Sequence, residues 1–117
     1  MLKGLLMLFR LLWLIVLATG ALVYFKVTAV PLSWHMYLGF AIALVMLIIG
    51  VMGFRAATGL AIITILWAVS LPVIGILQLK HLTMPDLPYI QITHVILGVA
   101  AIALGEITGK RIRLSAV

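Results

Sequence analysis

Residues 27–54 read VTAVPLSWHMYLGFAIALVMLIIGVMGF, a run of 28 residues without Asp, Glu, Lys or Arg. A helix needs about 20 mostly apolar residues to cross a bilayer, so this run predicts one span. Residues 56–79 and 87–105 form two more uncharged runs of sufficient length. Residues 5–25 form a fourth apolar run, interrupted by Arg10. We expect the long stem of Arg10 to carry its charge toward the lipid head groups.

The four runs predict an all-α fold, an integral membrane four-helix up-down bundle that makes residues 1–117 a single transmembrane domain. The predicted helices cover the following residues: about 5–25, 31–53, 57–79 and 88–109. The composition agrees, with 67% hydrophobic and 9% charged residues, because soluble domains carry roughly 25% charged residues. Short connections make successive helices antiparallel, so helices 2 and 4 are parallel and are expected to lie diagonally in the bundle.

The net charge of +6 is distributed unevenly between the two ends of these helices. Six cations fall on the side of the N-terminus: Lys3, Arg10, Arg55, Lys110, Arg111 and Arg113. Lys26 and Lys80 fall on the other side. The positive-inside rule therefore predicts cytoplasmic N- and C-termini, in a bacterial inner membrane. Because the cations flank spans and form no mixed basic and aromatic face, we expect no nucleic-acid partner.

The five-residue pattern His-x-x-Leu-Gly occurs twice, at 35–39 and 94–98. An ionisable side chain inside a membrane marks a functional site by default. In each copy the glycine, Gly39 or Gly98, lies one turn from the histidine on the same helical face, where it leaves room for a flat ligand. Both histidines fall in the outer half of the bilayer, within about one turn of the same depth. The pattern predicts one haem b per chain, with His35 and His94 as the iron ligands.

The paired motifs resemble those of the cytochrome b561 type of membrane di-haem electron carrier. This resemblance implies a four-helix core that holds haem between histidines on alternate helices, with His35 and His94 as axial ligands beside Gly39 and Gly98. The chain departs from that family because helices 1 and 3 contain no histidine, so the ligands of a second haem are missing. The absence of cysteine excludes disulfides, iron–sulfur clusters and covalently attached haem in this chain.

Several other side chains receive specific predictions. Lys26 and Lys80 lie on the side where haem propionates would emerge, and a charge-assisted contact would favour that arrangement. His81 is expected at the head groups, and Glu106 is expected to pair with Lys110 one turn away. Four aromatic residues are expected in the membrane-interface belts: Trp13, Tyr24, Trp34 and Tyr89. Trp34 and Tyr37 flank His35 within reach of a quinone ring, with packing in a belt or in the core as the favoured alternative.

Three functions remain open from the sequence. The first is an electron carrier, not an enzyme on its own, that exchanges electrons between membrane quinol and a periplasmic cytochrome or a larger redox complex. The second is a cofactor-free structural or assembly subunit of a larger membrane complex. The third is a small four-helix transporter similar to the small multidrug-resistance exporters. Those exporters depend on an acidic residue in helix 1, and helix 1 of this chain has none.

Overall fold

The structure, a computed structural model, describes residues 1–25, 29–80 and 88–115, with side chains at all of these positions except 79, 80, 88 and 89. Its four α-helices are α1 (Leu2–Tyr24), α2 (Leu32–Met52), α3 (Thr58–Lys80) and α4 (Pro88–Ser115). A single 3-10 turn, Gly53–Arg55, joins α2 to α3. All four helices are long and apolar enough to cross a membrane. The prediction of an all-α four-helix bundle is therefore confirmed.

The helices pack around a ring in chain order, and α1 closes the ring by packing against α4. Across the ring α2 contacts α4, whereas the described parts of α1 and α3 do not approach each other. Within its most apolar window α2 has 39% of its residues buried, against 11–17% in the other three helices. The bundle is therefore built around α2, and its short diagonal joins the two helices that carry the paired motifs.

The end of the bundle that holds both termini is closely packed because two glycines of α4 face large side chains of α1. A Cβ on Gly105 would lie 2.4 Å from Cε1 of Phe9, and one on Gly109 would lie 2.7 Å from a methyl carbon of Leu6. Phe9 is fully buried. Small residues allow such close approach between membrane helices. These contacts hold α1 and α4 together far from the histidines.

The largest difference from the predicted helix boundaries is at the end of α4, which continues to Ser115 instead of stopping near residue 109. Gly109 does not end the helix, because it is buried against Leu6. The basic residues that follow are good helix formers, and Ile112 packs against the core. At its start α1 also extends slightly, to Leu2, while α2 and α3 begin and end within one residue of the prediction.

The prediction that Glu106 pairs with Lys110 is wrong. The Glu106 carboxylate accepts two hydrogen bonds from the guanidinium of Arg10 on α1, one from Nε and one from Nη2 at 2.9 Å. Lys110 is exposed instead. Because Glu106 pairs with its guanidinium, the charge of Arg10 does not require contact with the lipid head groups. The planar fork of arginine matches a carboxylate better than the single ammonium of lysine does, which favours this inter-helix pair over the local one.

Candidate functional site

The structure brings His35 and His94 together across the short diagonal. His35 is the fourth residue of α2 and His94 is the seventh of α4, so both lie near the end of the bundle opposite the termini. Their ring centroids are 6.1 Å apart and their planes cross at 78°. Both side chains are half-buried. The two motif histidines therefore form one site rather than two separate polar positions.

The His35 ring is held in place by α1. Its Nδ1 lies 3.1 Å from the carbonyl oxygen of Val16 and 3.3 Å from the hydroxyl of Thr19. The Thr19 hydroxyl itself donates to the same Val16 carbonyl, at 3.0 Å. Since a carbonyl can only accept, Nδ1 carries the proton and Nε2 keeps a free lone pair. Metal-binding histidines typically have their second nitrogen bonded to a carbonyl or carboxylate in this way.

His94 has a different environment. Its Nδ1 is buried and has no hydrogen-bond partner among the residues that the structure describes. Buried polar atoms are normally paired, and one that is not calls for an explanation such as a ligand or a functional role. The His94 ring is thus placed by packing and by the position of its backbone rather than by a bond of its own.

Two glycines that the sequence analysis did not single out lie directly against the imidazoles. A Cβ on Gly20 of α1 would lie 2.9 Å from Cε1 of His35, and one on Gly75 of α3 would lie 3.3 Å from Cε1 of His94. Each glycine belongs to the helix that precedes its histidine, so each helical hairpin contains one glycine packed against one ring. The sequence did not distinguish them, because each of the two helices without histidine contains two glycines, Gly4 and Gly20 in α1 and Gly59 and Gly75 in α3.

The motif glycines occupy open space. A Cβ on Gly39 or Gly98 would have no contacting atom within 4 Å among the described residues. Neither glycine is needed for helix packing at its own Cα, so their predicted role in leaving room for a flat ligand stays a prediction. The other proposed ligand contacts cannot be placed: Lys26 and His81 lie outside the described residues, as does the side chain of Lys80.

The spacing of the two rings fits one metal ion between them. A bound imidazole nitrogen lies about 2 Å from its metal and the ring centroid about 1 Å further, so two trans imidazoles have centroids about 6 Å apart. The observed separation is 6.1 Å. Ring planes that share a ligation axis can cross at any angle, so 78° is compatible. No cluster of three or more His, Cys, Asp or Glu occurs in the described ranges. A haem iron would need only the two imidazoles from the chain, whereas tetrahedral zinc would need further ligands.

Two tryptophans bond to the turn of α4 that follows His94. The indole Nε1 of Trp13 donates to the carbonyl oxygen of Gly98 at 2.8 Å, and that of Trp67 donates to the carbonyl oxygen of Leu97 at 2.9 Å. The expectation that Trp13 belongs to an interface belt is therefore wrong, because its polar atom points into the bundle. Trp34, by contrast, is 54% exposed at the start of α2.

Among the residues predicted to meet a quinone, Tyr37 is 74% exposed, so it lies on the outer surface of the bundle beside Trp34. Both aromatic rings are thus available to a molecule in the surrounding lipid.

The chain matches no protein-family model, no curated protein and no solved structure. Its resemblance to the cytochrome b561 type rests on the two His-x-x-Leu-Gly motifs.

Proposed function

We propose that this chain is a membrane electron-transfer b-type cytochrome that holds one haem b between His35 and His94. The observation that supports it best is the pair of half-buried imidazoles, contributed by diagonal helices, whose centroids are 6.1 Å apart. A haem with two histidine ligands has no open axial position, which disfavours oxygen binding and suits one-electron transfer.

Each residue of the site has a defined task in this proposal. His35 would bind the iron through Nε2, because the Val16 carbonyl keeps the proton on Nδ1. His94 would supply the second ligand from α4. Gly39 and Gly98, where an added Cβ would meet no atom within 4 Å, would leave room for the porphyrin. Lys26 and Lys80, which the sequence predicts at the ends of the helices away from the termini, would pair with the haem propionates, since a propionate is stabilised by a nearby ammonium group.

The membrane supplies the partners of the proposed carrier. The positive-inside rule places both termini in the cytoplasm and the histidines near the outer surface. At that depth, quinol in the bilayer is a natural electron donor, with the exposed Trp34 and Tyr37 as its contact surface. A periplasmic cytochrome or a larger redox complex accepts the electron. Reduction of the purified protein by a short-chain quinol in lipid nanodiscs tests this partner.

The central test is the haem content of the purified full chain. We expect a pyridine haemochrome assay to give one haem b per chain and the reduced spectrum to be low-spin. His35→Ala and His94→Ala should each remove the low-spin species, because only the axial ligands hold the iron. His81→Ala is the matched control, since it removes the third histidine of the chain and should leave the spectrum intact.

The possible results separate the candidate functions. A parent protein without haem after expression with added haem precursor contradicts the cytochrome proposal and favours a cofactor-free structural subunit. Two haems per chain contradict the single-haem site. Loss of haem in His81→Ala together with retention in His35→Ala contradicts the ligand assignment.

A further inference from the structure

We infer that Trp13 and Trp67 are positioning residues for His94: their hydrogen bonds to α4 orient its ring toward His35. The inference rests on the proposed function, because it assigns a role at the same site. The two indoles come from different helices, α1 and α3, which flank α4 without approaching each other in the described residues. They contact consecutive carbonyls, those of Gly98 and Leu97.

Consecutive carbonyls fix a helix in two ways. Successive residues are turned by about 100° around an α-helix, so the two indoles approach α4 from different directions. A rotation of α4 about its axis or a shift along it would break at least one of the two bonds, at 2.8 and 2.9 Å. Together they therefore define both the rotation and the height of this part of α4.

The fixed segment is the one that carries His94. Within a helix the backbone N–H of residue 98 bonds to the carbonyl of residue 94, so His94 and Gly98 bound the same turn. A displacement of the Gly98 carbonyl therefore also displaces the His94 backbone, which lies one turn away. His94 needs such control because its Nδ1 has no described hydrogen-bond partner, whereas the His35 ring is bonded directly to Val16.

Membrane surroundings make these two bonds persistent. An indole N–H is only a donor, and in hydrocarbon it has no water to bond to. A helical carbonyl already bonded within its helix still has a second lone pair to offer. Both indoles are partly buried against the core. The two indoles therefore remain bonded to the α4 carbonyls, whereas Trp34 is exposed.

The first experiment uses Trp13→Phe and Trp67→Phe in the full chain reconstituted in lipid nanodiscs. Phenylalanine keeps an aromatic ring but removes the donor. Each variant should bind haem about threefold to tenfold more weakly, the effect expected for one inter-helix hydrogen bond. Each should also show a high-spin fraction in its electron paramagnetic resonance spectrum, because His94 is displaced from the iron. Tyr24→Phe is the control, because it removes the donor of an aromatic side chain that is 62% exposed, and it should match the parent in both measurements.

The spin state separates positioning from simple stabilisation, since a purely structural tryptophan would lower the unfolding temperature without changing the ligation. Unchanged affinity and an unchanged low-spin spectrum in both tryptophan variants would overturn the inference.

A second experiment needs no haem. The chain has no cysteine, so His35→Cys and His94→Cys introduce a unique pair for a thiol cross-linker of fixed length. We expect the cross-linking yield to fall when Trp13→Phe or Trp67→Phe is added, and to be unaffected by Tyr24→Phe. Equal yields in all backgrounds would contradict the positioning role. A parent chain without haem would contradict the proposed function, and the yields would still decide the role of the tryptophans.

Discussion

Adding one methyl group at Gly20 should disturb the His35 ring more than the same change at any motif glycine. In Gly20→Ala the new Cβ would lie 2.9 Å from Cε1 and 3.2 Å from Nδ1 of His35. Ordinary contacts begin at 3.4 Å, so the ring must retreat by at least 0.5 Å. Such a movement away from α1 stretches the bond from Nδ1 to the Val16 carbonyl from 3.1 Å to about 3.6 Å, beyond hydrogen-bonding range.

Gly39→Ala is the matched control because its Cβ meets no atom within 4 Å. Both substitutions gain the same helix propensity, about 1 kcal/mol in water, and this gain cancels in the comparison. Overpacking costs about 1–3 kcal/mol. We therefore expect Gly20→Ala to be less stable than Gly39→Ala by about that amount. Unfolding of both apo-proteins by sodium dodecyl sulfate in mixed micelles, followed by circular dichroism, measures the difference.

A haem titration of Gly20→Ala and Gly4→Ala tests the functional consequence. Gly4 is the control in this titration because it lies on the same helix, its Cβ meets no atom within 4 Å, and it has no proposed part in the haem site. Because His35 moves in one variant only, Gly20→Ala should bind haem about tenfold more weakly than Gly4→Ala, the equivalent of about 1.4 kcal/mol. Equal stability in the first comparison and equal haem affinity in the second would refute the idea that Gly20 supports the imidazole.

Three further predictions concern contacts elsewhere in the bundle. Gly98→Leu should prevent haem binding while the apo-protein stays about as stable as the parent apo-form, since a Cβ there meets no atom within 4 Å; normal occupancy of haem, measured from its absorption spectrum, would contradict this. Arg10→Gln and Glu106→Gln should each destabilise the bundle by leaving one charge unpaired, and the double variant should lose less stability in unfolding measurements than the sum of the two single losses; simple additivity is the opposing result. Thr64→Val removes the buried hydroxyl that bonds to Thr108 at 2.8 Å and should cost about 0.6 kcal/mol, at most about 1.7; an unfolding curve identical to that of the parent would argue against it.

The helices were predictable because their length is set by the bilayer and their ends by charged and loop residues. The uncharged run at 27–54 contains all of α2, Leu32–Met52. The meeting of His35 with His94 followed from parallel helices and equal depth. These arguments use only distance along each helix, which the sequence states directly.

The rotation of each helix about its axis could not be predicted. Membrane helices that are apolar on every side show no stripe that marks the inward face. The pair between Arg10 and Glu106 joins residues 96 positions apart, and the contact of Gly20 with His35 joins two helices with no fixed spacing. Both depend on which way a helix is turned. Only the packing of all four helices determines that orientation, which is why the local Glu106 and Lys110 pair was favoured wrongly.

In each helical hairpin one histidine ring packs against one glycine: His35 against Gly20 and His94 against Gly75. Each hairpin therefore carries one half of the histidine pair. The 6.1 Å between the rings is then set by how the hairpins dock, mainly through α2 and α3. A change of a few degrees in the angle between the hairpins would widen or narrow this gap, and it would also strain the bond from Trp13 of the first hairpin to Gly98 of the second. The distance between the two imidazoles therefore depends on the angle at which the hairpins dock. A lipid or protein neighbour that displaces one hairpin would change the position of the other hairpin's ring relative to it.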